Sequence, residues 1–131
     1  MRKSLQAVQE FHEAFGLGIA PKPTVDLPLE KVQLRYELMK EENEEYLQAA
    51  KDGDLVEVAD ALGDMLYILC GTIIEHGMQD KIAEVFAEIQ RSNMSKIGGD
   101  GKPVYREDGK VMKGPNYSQP DLEKIFGRDK D

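Results

Sequence analysis

The chain has 131 residues, 40% of them hydrophobic and 32% charged, which fits one globular domain, and no apolar run reaches the ~18 residues of a membrane span. Seventeen basic against 25 acidic side chains leave a net charge of −8, which opposes nonspecific contact with nucleic acid. Polar residues follow the basic start Met1-Arg2-Lys3-Ser4, so no export signal is read there. The single cysteine, Cys70, lies in an apolar stretch and reads as a buried small hydrophobe, and a cytoplasmic, reducing setting is expected.

Leu5, Val8, Phe11 and Phe15 recur at helical spacing, and Gly16 and Gly18 close the pattern, so residues ~3–15 form a first amphipathic helix. Pro21, Pro23 and Pro28 mark a loop. A long second helix follows Pro28, since the chain then carries neither Gly nor Pro until Gly53. Asp52-Gly53-Asp54 is a turn, and Asp54 with Glu57 resembles a capping box that opens a third helix, stopped by Gly77. Its stretch from Ala61 to Ile74 is nearly all apolar and is expected to be buried all round. A fourth helix from about Asp80 has Ile82, Val85, Phe86 and Ile89 as its buried stripe and ends near Asn93.

Beyond Gly98 the composition turns to Gly, Pro and Lys. Residues 102–113 read as a hairpin turning at Asp108-Gly109, Asp121 to Phe126 as a terminal helical turn, and the last residues as fraying. The expected fold is therefore all-α: one domain over 1–131, an antiparallel bundle of about four helices (3–95) with a basic tail (96–131).

The second helix changes character along one face, from Leu34 and Leu38 to Glu41 and Glu45, with Glu42 bordering it in an E-x-x-E pair. The third helix carries Glu57, Asp60 and Asp64 at spacings of three and four. An antiparallel pairing of these helices across the Asp52 to Asp54 turn brings the two acidic faces together. At about 6 Å and an effective dielectric near 20, each like-charged pair costs roughly 3 kcal/mol, so protons or cations must compensate. Asp64, flanked by apolar residues, is the acid hardest to explain as a surface group. Glu57 can equally serve the helix cap, and Glu44, Glu84, Glu88 and Glu123 read as solvated.

Oxygen-only ligands suit magnesium, or manganese, rather than zinc. His12 and His76 are the only histidines, and neither follows a Glu at the spacing of di-iron bundles. Basic groups gather after the fourth helix, at Lys96, Lys102, Arg106, Lys110 and Lys113, and look like a phosphate-facing tail.

Three segments, Glu41-Glu42-Asn43-Glu44-Glu45, Asp60-Ala61-Leu62-Gly63-Asp64-Met65-Leu66-Tyr67 and Ser92-Asn93-Met94-Ser95-Lys96, together resemble the all-α NTP pyrophosphatases. That superfamily includes MazG-like enzymes, dimeric dUTPases and phosphoribosyl-ATP pyrophosphohydrolases, and the resemblance covers roughly 28–121. It implies cleavage of a nucleoside triphosphate between the α and β phosphates, or of phosphoribosyl-ATP, with magnesium held by E-x-x-E and E-x-x-D motifs. The first motif carries over to Glu42 and Glu45, with Glu41 beside them. The second is imperfect: closing it on Asp64 puts Ala61 where a glutamate is expected and leaves Asp60 as a substitute, while Glu57-x-x-Asp60 is the alternative one turn earlier. By the same resemblance Glu42 is the base or a ligand to the activating metal, Glu45, Asp60 and Asp64 are metal ligands, Asn93 meets sugar or phosphate, and Lys96 meets the phosphate chain; Lys110 and Lys113, from the basic tail, are read as further substrate contacts. A homodimer or homotetramer is implied too. The rival reading is a non-catalytic acidic helical protein that binds divalent ions or a partner.

Overall fold

The computed structural model describes residues 1–97 and 100–127. Four α-helices dominate: α1 Arg2–Ala14, α2 Leu29–Lys51, α3 Leu55–Glu75 and α4 Ile82–Met94. The strands β1 Val104–Tyr105 and β2 Val111–Met112 pair antiparallel, Val104 opposite Met112 and Tyr105 opposite Val111, and a 3₁₀ turn spans Glu123–Phe126. The all-α class is therefore as expected, and the hairpin lies where its Asp-Gly turn predicts. The expected fraying of the last residues falls outside the described positions. Among those described, no helix is long and apolar enough to cross a membrane.

The chain divides into two compact units, Met1–Asp80 and Lys81–Asp131. In the first, α3 packs against both α2 and α1. Its start is set by Asp54, whose carboxylate accepts the Glu57 N–H at 3.1 Å. Only this half of the capping box forms, because the Asp54 N–H donates to the Ala49 carbonyl instead of the Glu57 side chain. Glycines at positive φ end the helices of this unit, Gly16 after α1, Gly53 after α2 and Gly77 after α3. At Gly77 the αL backbone also lies against the Lys22 carbonyl, leaving no room for a Cβ. The loop between α1 and α2 is fastened there: Ala20 N–H donates to Ile74 O, Thr24 N–H to His76 O, and the Gln79 amide to Ala20 O.

The core of this unit is small, comprising Leu5, Val8, Ala49, Ala61, Cys70, Ile73 and Ile74, with Cys70 buried as expected. Two expectations about burial fail. Of the apolar stripe of the first helix Leu5 and Val8 are buried, but Phe11 is 38% exposed and Phe15, just past α1, 67%, while His12 is buried. The apolar run of α3 is not enclosed all round: Leu62 and Leu66 are each 49% exposed and Leu69 44%, because α1 and α2 occupy only part of the helix circumference.

In the second unit the expected buried stripe of α4 is also corrected. Phe86 is 60% exposed and Ile89 partly open, whereas Glu88 and Ser92 are buried. The tail returns along this polar face. Asp121 N–H donates to Glu88 Oε2 at 2.9 Å, Arg91 Nη2 to Gln119 O at 3.2 Å, and Ser118 N–H to Ser95 Oγ at 2.8 Å. Glu88, read from sequence as solvated, is thus the anchor of the tail, and Arg91 one turn later pairs with it at 2.6 Å.

Candidate functional site

The antiparallel α2–α3 hairpin turns at Gly53, and Glu42 and Asp64 are equidistant from that glycine along the chain. This register brings the two acidic faces together. Glu45, Asp60 and Asp64 all act electrostatically on Glu42. Glu42 is half-buried, and its carboxyl is held up at about 7, first by burial, then by its hydrogen bond with Glu45, then by the negative charges of Glu45, Asp64 and Asp60. Its Oε2 is buried without a hydrogen-bond partner. An orphaned carboxylate oxygen among three further acids is costly unless a proton or a cation completes it.

Glu45, Asp60 and Asp64 are exposed, so the apolar flanks of Asp64 in sequence do not bury it. Glu41 and Glu57 are exposed as well, and neither is among the groups acting on Glu42. Ala61, at the position where the second motif departs from its pattern, is 2% exposed: its methyl belongs to the core, and Asp60 and Asp64 share a helix face turned to one side of it. The donor set is all oxygen, and with the orphaned Oε2 it fits a hard divalent ion. Among the described residues no three acidic, histidine or cysteine side chains are already gathered tightly enough to hold one, so binding requires the exposed carboxylates to rotate inward.

The remaining expected contacts belong to the second unit. Asn93 is exposed near the end of α4, and Lys96 follows the helix, its carbonyl accepting the Gly114 N–H at 3.0 Å. Lys110 is exposed in the hairpin, where its N–H donates to Asp108. Lys113 Nζ lies 4.7 Å from the centroid of the Tyr117 ring. Arg106 is paired with Asp108.

One polar network in the first unit was not anticipated from sequence. Glu75, 3% exposed at the end of α3, is ion-paired with Lys31 Nζ at 2.9 Å and with Arg35 Nε at 3.2 Å. Arg35 also donates to Thr72 Oγ1 at 3.0 Å and to the Ile68 carbonyl at 2.8 Å, and burial pushes its guanidinium below the usual range against the pull of Glu75. His12 Nδ1 donates to Gly18 O at 2.9 Å, which puts the proton of the neutral ring on that nitrogen. Two sequence signals could have revealed this network: Arg35 stands two helical turns before Glu42 on the same stripe, and Gly71 is a glycine inside a helix.

An E-x-x-E face of α2 set against aspartates of α3 is the pairing that the resemblance to the all-α NTP pyrophosphatase superfamily implies. Within it, the profile of the family described as phosphoribosyl-ATP pyrophosphohydrolase matches residues 8–93, and the chain belongs to that family. The match takes in the second half of α1, which the resemblance read from sequence left out, and stops at Asn93, short of Lys96 and the tail. The chain is also 40% identical over 72 residues to "Uncharacterized protein L479" of Acanthamoeba polyphaga mimivirus. That alignment covers 50% of this chain but 28% of the viral protein, so the chain spans well under a third of that relative's length.

Proposed function

We propose that this chain is a divalent-cation-dependent nucleotide pyrophosphohydrolase that cleaves between the α and β phosphates of a nucleoside triphosphate, giving a monophosphate and pyrophosphate. The observation that carries the reading is Glu42, whose buried, unpartnered oxygen sits in the field of Glu45, Asp60 and Asp64. A second substrate, phosphoribosyl-ATP, is favoured by the description of the matching family. The chain lies in the cytoplasm in this reading, in keeping with its lone buried thiol, and its net charge of −8 disfavours nucleic acid as partner.

Glu45, Asp60 and Asp64 hold the cation, with Glu41 within a side chain's reach of the same helix face and Glu57 a weaker candidate. Magnesium or manganese bound there supplies positive charge to the phosphate chain and acidifies water. Glu42, half-buried among these acids, takes the proton of the attacking water. The water oxygen bonds to phosphorus as the bridging P–O bond breaks and pyrophosphate leaves. Asn93 contacts sugar or phosphate, and Lys96, Lys110 and Lys113 take phosphate oxygens.

The working form in this reading is a homodimer, or a tetramer built from it. Leu55, Ala59, Leu62, Leu66 and Leu69 alternate by four and three along α3, and all are exposed in the single chain. Such a seam is what a second helix covers.

The test is pyrophosphate release from a panel of NTPs, dNTPs and phosphoribosyl-ATP, with and without magnesium. Glu45→Gln and Asp64→Asn are each expected to lower turnover about 10²-fold or more while helicity is retained. Absence of release from every substrate sinks the enzymatic reading, and full activity in both variants sinks the assignment of the site.

A further inference from the structure

The hairpin that presents the carboxylates is held unevenly. Ala49, beside the turn, is the single buried residue of the 23-residue α2. Apolar burial of α2 is therefore complete only near Gly53, and further out Leu38 and Met39 are half-buried. Glu42 and Glu45 lie beyond that point, where like charges on the two helices push them apart. At the far side of the acids stands Arg35, whose Nη2 donates to Ile68 O and Nε to Thr72 Oγ1 while the guanidinium pairs with Glu75 Oε2, all on α3.

A planar fork spread over three successive sites of one helix fixes both rotation and axial register, which a single point charge does not. The surroundings leave it little freedom. A Cβ on Gly71 would lie 2.6 Å from Arg35 Nη2 and 2.8 Å from His12 Nε2, and one on Gly18 would lie 2.9 Å from Glu75 Oε1. Both glycines thus keep open the space the pair occupies. Arg35 and Thr72 are within one residue of equidistance from Gly53, so the clamp enforces the same register that sets Glu42 opposite Asp64.

We propose that Arg35 is a positioning residue, whose clamp on Ile68, Thr72 and Glu75 holds α2 in register on α3 and so sets the distance of Glu42 and Glu45 from Asp60 and Asp64. The link from that distance to cation binding rests on the functional reading above; the link from Arg35 to the distance does not.

The test uses the full chain with nitroxide labels at Glu44→Cys on α2 and Gly63→Cys on α3, diluted with unlabelled chain. Glu44 is exposed, a side chain at Gly63 meets open space, and Cys70 is too buried to label readily. Pulsed dipolar spectroscopy reads the helix–helix distance, and Mn2+ titration of the unlabelled variants reads the cation site. Arg35→Met is expected to broaden the distance distribution and to weaken Mn2+ binding about tenfold or more, with Arg35→Lys intermediate. Arg35→Met combined with Glu75→Gln removes the charges of the clamp and leaves Lys31, 34% exposed, to water, so it recovers melting temperature in part yet stays broad and binds Mn2+ weakly. That split separates positioning from stability. A narrow, unshifted distribution in Arg35→Met, or its return in the double variant, overturns the inference. A broadened distribution in a protein whose unsubstituted form binds no Mn2+ upholds the clamp and removes the cation reading instead.

Discussion

Glu42 and Glu88 are pushed in opposite directions by what surrounds them. Burial, then Glu45, raises Glu42 to about 7, while Arg91, then the Asp121 backbone N–H, lowers Glu88 to about 2. For Glu42 the proton is bound more tightly in the folded chain. Its contribution to stability is therefore full below the unfolded carboxyl value of 4.5 and is lost as pH rises through 7. For Glu88 the sign is reversed: the contribution is present above 4.5 and is lost as pH falls toward 2. Melting curves of Glu88→Gln collected between pH 5 and about 2 should accordingly flatten with acid relative to the parent chain. An unchanged acid slope would mean that the tail is not anchored through this carboxylate.

Among the elements, α3 holds two glycines whose replacement should have opposite effects. Gly63 has open space where a Cβ would stand, so Gly63→Ala is expected to stabilise by about 0.5–1 kcal/mol through helix propensity. At Gly71 the same change meets the Arg35 fork and the His12 ring. Neither can yield cheaply, since Arg35 Nη2 is bonded to Ile68 O and His12 is 2% exposed. Gly71→Ala is expected to cost about 1–3 kcal/mol net. Urea unfolding of the two variants checks both signs. This contrast also marks what the sequence could convey. Helix ends were legible, because Gly16, Gly53 and Gly77 are local stop signals and Asp54 a local cap. The meeting of the acidic faces was legible too, since a short turn between two long helices fixes their register. Burial of Glu88 was not, because it depends on backbone N–H groups arriving from the tail. The clamp was legible only as a hint, in the place of Arg35 on the stripe of Glu42 and in a glycine inside α3, because Thr72 and Glu75 are brought to Arg35 by the fold.

For the molecule as a whole, the exposed leucines of α3 are the surface that the proposed homodimer would cover. Leu66 sits at the middle of the stripe, 49% exposed, with Leu62 and Leu69 to either side. Leu66→Glu puts a charge where a second copy is expected and should convert a dimer to monomer in sedimentation equilibrium, while helicity stays near that of the parent. A parent chain that sediments as a monomer at assay concentrations removes the homodimer from the proposed function.

The central position of α3 has a consequence for how freely this sequence can vary. Its 21 residues face α1 on one side and α2 on another, carry aspartates toward Glu42, and leave a leucine stripe outward. A turn of 3.6 residues divided among four such demands has almost no idle position. In a library of all single substitutions, intolerance should therefore concentrate in α3 as a nearly continuous block rather than a periodic pattern, with Gly63 as the visible gap.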